Sequence, residues 1–235
     1  RNYGVLDIGR IITKSSNVGV TKLALSMHED TVRNMFFNVG LGQTTGSGFP
    51  GERAGRLPHY PAKRVVERAT MSYGYGLSVT PLQLAQAYTS VASGGLKRPL
   101  SLMKVTGPVD AERVMPEKVA RQVLNMMETV TQQGGTGRRA QVPSFRVAGK
   151  TGTAHKVGRQ GYEDDQYVAV FAGVAPVSNP RFVTVVMVDE PQGEEYYGGE
   201  VAAPVFSRIM AGTLRLMNVA PDILPPSLEQ QMAWN

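Results

Sequence analysis

The feature that most constrains this chain is a change of period in its apolar residues. As far as Gly134-Gly135 they recur at helical spacing. Beyond it they fall into three β-rich runs, residues 145–153, 167–174 and 181–188, parted by clusters of Gly, Pro, Asn and Asp. The segment Ala175-Pro176-Val177-Ser178-Asn179-Pro180 joins the last two runs as a hairpin connection, and helical spacing returns over residues 201–216. Strands that follow one another with no helix between them do not make the alternating units of a parallel sheet. The order predicts an α+β fold, an antiparallel sheet flanked by helices. It forms one domain over residues 1–222, followed by a polar tail at 223–235 that opens Leu224-Pro225-Pro226.

The helical part has its own punctuation. Helical runs at residues 5–12 and 18–27 flank a polar turn, Lys14-Ser15-Ser16-Asn17, and a third run through Val32, Met35 and Phe36 ends at Gly40 and Gly42. The Gly- and Pro-rich stretch from 40 to 61 reads as a long ordered loop, and such loops inside a domain are often functional. Pro61 opens a helix to about residue 71, and Thr80-Pro81 is an N-cap with Pro at the first helical position for residues 82–92. Residues 100–106 are a short strand candidate. Val119, Val123, Leu124, Met127 and Val130 give the clearest amphipathic helix, beginning at Pro116-Glu117.

Composition excludes several chemistries. The chain has no Cys, hence no thiolate nucleophile, disulfide framework or cysteine zinc site, and its three His are too scattered to make a metal site. No cofactor is expected. The net charge of +6 comes from dispersed pairs, Lys63-Arg64, Lys97-Arg98 and Arg138-Arg139, with acidic Glu163-Asp164-Asp165 and Glu194-Glu195 between them. Without a basic stripe interleaved with aromatics, nucleic acid is not a partner. No run of about 18 apolar residues is present to cross a membrane.

Two short motifs carry chemistry when taken together. Ser15-Ser16-Asn17 sits at a helix interruption, where capping of the next helix is the ordinary role of such residues, and Lys150-Thr151-Gly152-Thr153 sits in the first β-rich run. In this order they resemble two of the three motifs of penicillin-recognising serine acyltransferases, Ser-x-x-Lys, then Ser-x-Asn, then Lys-Thr-Gly. Phe49-Pro50-Gly51-Glu52, Tyr73-Gly74-Tyr75-Gly76-Leu77-Ser78-Val79-Thr80-Pro81, and Tyr196-Tyr197-Gly198-Gly199 followed by Ala203-Pro204-Val205-Phe206 extend the likeness over about residues 2–221. The chain resembles the transpeptidase domain of class B penicillin-binding proteins of the cell-division (septal) type.

The resemblance implies a penicillin-binding transpeptidase or serine β-lactamase-like fold and a peptidoglycan D,D-transpeptidase that cross-links stem peptides. Ser15 would relay a proton between nucleophile and leaving amine, Asn17 would position the acyl side chain, and Lys150 would place positive charge beside Ser15. Thr151 and Thr153 would bind the substrate carboxylate, with the Thr153 N–H as half of an oxyanion hole. Gly152 leaves room for a peptide or β-lactam lying along the strand edge. Tyr75, Tyr196 and Tyr197 would wall the acyl group, while Tyr73 reads as packing. His155 stands where relatives carry Arg or Lys, which weakens any charge-based carboxylate contact there.

The first motif is a departure, because only 14 residues precede Ser15. The resemblance places the nucleophilic Ser and its Lys base upstream, so the chain reads as a domain whose N-terminal part is missing. Ser101-Leu102-Met103-Lys104 matches Ser-x-x-Lys formally, but it falls in the strand candidate, where i and i+3 point to opposite faces. The implied partners are stem peptides ending in D-Ala-D-Ala, β-lactam antibiotics, and division-complex proteins including a membrane glycosyltransferase. The implied location is the bacterial inner membrane, with an anchor upstream and the catalytic domain in the periplasm. Two alternatives stand beside it: a D,D-carboxypeptidase or β-lactamase-like hydrolase, with water as acceptor, and a non-catalytic module that binds peptidoglycan or a divisome partner.

Overall fold

The computed structural model describes residues 3–158 and 161–223, with backbone alone at 157–158 and 161–165. The expected tail from Leu224 onward and the side chains of Glu163-Asp164-Asp165 lie outside the described residues. Three strands form one antiparallel sheet: β3 (Ala148–Gly158), β4 (Gly161–Ala175) and β5 (Phe182–Asp189), in the order β3-β4-β5. The pairing runs from Ala148↔Val174 to His155↔Tyr167 on one side of β4 and from Val168↔Asp189 to Ala175↔Phe182 on the other. β3 therefore has one ladder edge that no strand of this sheet covers.

Helices cover both faces, as expected of an α+β fold. On one face Phe206, Met210 and Leu214 of α8 (Ala203–Leu216) are fully buried against Phe171, Val186 and Ala175, with the Phe171 and Phe206 rings 4.8 Å apart. On the other, Ala148 and Val174 pack against Leu124 and Met127 of α6 (Glu117–Glu128), and against Tyr88 and Val91 of α5 (Pro81–Ala92). Each such large apolar side chain contributes about 1.5–3 kcal/mol of transfer free energy. The α5 start is a complete capping box: the Thr80 hydroxyl accepts from Gln83 N–H, and the Gln83 amide oxygen accepts from Thr80 N–H at 2.8 Å. Gln83 is fully buried, and its amide donates to the carbonyls of Gln43 and Ala54. It thereby anchors the long loop.

The first helices are α1 (Ile8–Lys14), α2 (Asn17–Ser26) and α3 (Thr31–Asn38), close to the expected runs. Two expectations need correction. The helix expected from Pro61 begins only at Val65, as α4 (Val65–Met71); residues 61–64 form an exposed turn instead, closed by Arg64 N–H on the Pro61 carbonyl at 2.8 Å. The strand expected at 100–106 is an exposed loop between two two-residue strands, β1 (Leu96–Lys97) and β2 (Glu112–Arg113). Ser101 turns the chain there, its hydroxyl accepting from Met103 N–H at 3.1 Å.

Candidate active site

The junction between α1 and α2 is built so that one serine caps and the other does not. Ser15 has φ 52° and ψ 50°, its N–H meets the Ile12 carbonyl at 3.1 Å, and Ser16 N–H meets the Ile11 carbonyl at 3.0 Å. This is a Schellman motif with Ser in the left-handed place that normally takes Gly. Ser16 is the N-cap of α2, its hydroxyl accepting from Gly19 N–H at 3.1 Å, and Asn17 is the first helical residue. Capping, the ordinary reading of this sequence, thus belongs to Ser16. Ser15 carries the strained backbone, and its hydroxyl is turned elsewhere.

That hydroxyl meets Lys150, 135 residues away, whose Nζ donates to Ser15 Oγ at 2.7 Å and to the Thr151 carbonyl at 3.0 Å. Burial lowers the Lys150 pKa from 10.5 to about 8, because the ammonium is largely desolvated. Near neutral pH Lys150 is still mainly an ammonium. It donates to Ser15 Oγ and leaves the Ser15 proton available to another acceptor.

Along β3 successive side chains alternate between faces. On the face away from Lys150, Thr151 Oγ1 lies 2.9 Å from Thr136 Oγ1, and Thr153 Oγ1 accepts from Gly198 N–H at 3.0 Å. The glycines here differ in their reasons. A Cβ on Gly198 would lie 2.3 Å from the Val170 carbonyl oxygen and 2.4 Å from that of Gly152, so close packing of α7 (Gly198–Val201) on β3 and β4 demands glycine. A Cβ on Gly152 would meet only Val170 Cβ, at 3.7 Å, an ordinary contact. Neither packing nor a positive φ requires glycine at 152.

A cavity of about 550 Å³ gathers Ser15, Ser16 and Asn17, Tyr73-Gly74-Tyr75, Leu84 and Tyr88 of α5, and Lys150, Thr151, Gly152 and Thr153. Burial raises the Tyr88 pKa, keeping it a neutral phenol. Tyr75 lines this cavity in edge contact with Tyr73, ring centroids 5.8 Å apart, so Tyr73 shares the wall rather than serving packing alone. Tyr196 and Tyr197 are not brought to the same wall. Tyr196 stacks on Tyr167 at 4.0 Å and tilts against Tyr197 at 4.4 Å, and His155 closes the row against Tyr167 at 4.5 Å. This four-ring stack lies further along β3, and none of its members lines the cavity.

Sequence reading missed Thr136 and Tyr167. Thr136 is the one side chain in Gly134-Gly135-Thr136-Gly137, a run legible only as a helix stop, and Tyr167 reads only as a strand residue. Ser101 and Lys104 lie on the exposed 98–111 loop, away from all of these groups. Among the described residues no group of three His, Asp or Glu is placed to hold a metal ion, and no helix is long and apolar enough to cross a membrane.

A serine at a strained helix junction, the largely buried lysine that holds it and two threonines of the same strand thus line one cavity. Comparison with known proteins gives the family. Residues 1–211 match the family model of the penicillin-binding protein transpeptidase domain. The chain is 50% identical over 233 residues to the peptidoglycan D,D-transpeptidase FtsI of Escherichia coli K12, covering 99% of this chain and 40% of that protein. It is 43% identical to the probable peptidoglycan D,D-transpeptidase PenA of Neisseria gonorrhoeae, covering 93% and 38%. The TP domain of Burkholderia pseudomallei penicillin-binding protein 3 superposes with a TM-score of 0.88 at 46% identity, covering 95% of this chain and 68% of that one. The chain belongs to the penicillin-binding protein transpeptidase domain family.

Proposed function

We propose that this chain forms the Ser-x-Asn and Lys-Thr-Gly-Thr side of a septal peptidoglycan D,D-transpeptidase. The observation that carries the reading is the 2.7 Å hydrogen bond from Lys150 Nζ to Ser15 Oγ, which joins the two motifs over one cavity. The nucleophilic serine, in a segment upstream, attacks the carbonyl between the last two D-alanines of a stem peptide. The C–N bond breaks, and the leaving amine takes a proton through Ser15, whose oxygen accepts from Lys150. Thr151 and Thr153 bind the terminal carboxylate, Thr153 N–H is aimed at the oxyanion, and Asn17 orients the acyl side chain. An amine from a second strand then takes the acyl group.

The substrate lies along the free edge of β3, where Gly152 leaves room, and a β-lactam occupies the same place as a stem-peptide mimic. Tyr75 contacts the acyl group from inside the cavity; Tyr196, Tyr197 and His155 act from the aromatic stack. The working location is the periplasmic side of the inner membrane, beside a glycosyltransferase and other division proteins. Fluorescent penicillin tests the reading: in the protein carrying its upstream segment, label attaches to a serine outside residues 1–235, and Lys150→Ala abolishes it while the fold persists. Labelling of Ser101, or undiminished labelling of Lys150→Ala, refutes it. Incubation with stem peptide and an amine acceptor, read by mass spectrometry, separates cross-linking from hydrolysis to the shortened peptide.

A further inference from the structure

We propose that Thr136 is a positioning residue of this site: its hydroxyl donates to Thr151 Oγ1 and so leaves the Thr151 proton to the substrate carboxylate. The inference rests on the acyl-transfer reading above and deepens it.

The loop Gly134-Gly135-Thr136-Gly137 leads from the end of α6 to a 3₁₀ turn at Arg138–Ala140. It is pressed into place from several sides. A Cβ on Gly135 would lie 2.1 Å from the Val130 carbonyl oxygen, and one on Gly137 would lie 2.8 Å from the Phe171 ring. Across the gap, a Cβ on Gly199 would lie 2.2 Å from the Thr136 carbonyl oxygen. Lys14 Nζ donates to the Gly134 carbonyl at 2.6 Å, tying the loop to the end of α1, one residue before Ser15. Three glycines therefore let the backbone sit hard against the turn that follows α6, against β4 and against α7. The single side chain that the loop carries is delivered to Thr151, oxygen to oxygen at 2.9 Å.

Proton accounting gives this contact a direction. Gly198 N–H can only donate, so Thr153 Oγ1 accepts and keeps its own proton for a ligand. A carboxylate only accepts, so Thr151 must donate to it and accept from Thr136. Each hydroxyl of the Thr151/Thr153 pair is thus held by a donor from outside β3. Without Thr136 the Thr151 hydroxyl is free to rotate, and its proton is no longer preset.

The test uses the full-length protein, in wild-type form and as Thr136→Val, Thr136→Ser and Thr136→Ala. Second-order acylation constants are measured with penicillin G and with its methyl ester, which lacks the carboxylate charge, alongside thermal melts. Thr136→Val and Thr136→Ala should each lose about fivefold with penicillin G, the worth of one oriented hydroxyl contact. Both should stay within twofold of wild type with the ester, and Thr136→Ser should recover the penicillin G rate. An unchanged penicillin G rate in the Val and Ala variants overturns the proposal. So does an equal loss with both compounds, which would mark the loop as structural only. If wild type is acylated by neither compound, the acyl-transfer reading itself fails and takes this inference with it.

Discussion

Lys150 offers a quantitative test that needs no substrate. Burial holds its pKa at about 8 in the folded protein against 10.5 in a solvated chain, so the native state disfavours the ammonium by about 3 kcal/mol. The folded value lies below the unfolded one. Below pH 8 both states carry the proton and the full handicap applies. Between pH 8 and 10.5 the native state releases its proton while the unfolded state keeps it, and stability rises with pH by about 1.4 kcal/mol per unit.

Lys150→Met removes the titration while filling much the same volume. The difference in unfolding free energy between wild type and Lys150→Met, from urea denaturation at matched pH, isolates this site, because every other lysine and tyrosine titrates alike in both proteins. Wild type should gain about 2–3 kcal/mol on the variant between pH 7.5 and 10.5. The direct hydrogen bonds to Ser15 and to the Thr151 carbonyl offset part of the handicap, which sets the lower end of that range. A difference that stays flat within about 0.5 kcal/mol over this window, or that moves the other way, refutes the claim that Lys150 is held as a desolvated ammonium.

Two contrasts test the site against the scaffold. Gly152→Ala should leave the melting temperature nearly unchanged, since its Cβ meets only an ordinary contact, yet lower penicillin acylation at least tenfold by occupying the strand edge; Gly198→Ala should instead destabilise by roughly 2–4 kcal/mol, because carbonyl oxygens at 2.3 and 2.4 Å cannot give way. Ser15→Gly should stabilise by about 0.5–1 kcal/mol in urea unfolding by relieving the left-handed serine, while penicillin labelling is lost; Ser16→Ala should cost about 1 kcal/mol through loss of the α2 cap.

The strands of the main sheet were legible because their signals are local. Alternation and turn clusters placed all three within a few residues, though β3 and β4 run on to Gly158 and back from Gly161 through polar sequence that carries no apolar alternation. The strand expected at 100–106 failed for the opposite reason. Its β-rich composition finds no partner ladder, and Leu102, Met103 and Val105 remain 63%, 79% and 54% exposed. Propensity there describes residues that suit a pleated surface, and no surface is offered. The start of α4 moved because Pro61 suits a turn as well as a first helical residue, and here Arg64 N–H on the Pro61 carbonyl closes a turn before the helix begins.

The site divides along the same line. Ser15, Asn17, Lys150, Thr151, Gly152 and Thr153 could be picked out from motif order, and the structure gathers them around one cavity. The groups that orient them could not be picked out. Thr153 is held by a backbone N–H, which any residue at 198 would supply, and the sequence records that contact only as the glycine needed to bring the backbone so near. Thr151 is held by a threonine whose placement depends on the missing side chains of its neighbours. The aromatic residues show the converse: Tyr75 and the Tyr196-Tyr197 pair look equivalent in the sequence, but Tyr167, opposite His155 in the β3–β4 ladder, draws the pair into a separate stack. In this fold the cavity-lining groups are written as polar motifs and their alignment is written in glycines. A glycine beside a site motif therefore asks a definite question, whether its absent Cβ would strike the protein, as at 198, or meet only an ordinary contact, as at 152. The first answer marks a scaffold contact, and the second marks a glycine that packing does not require.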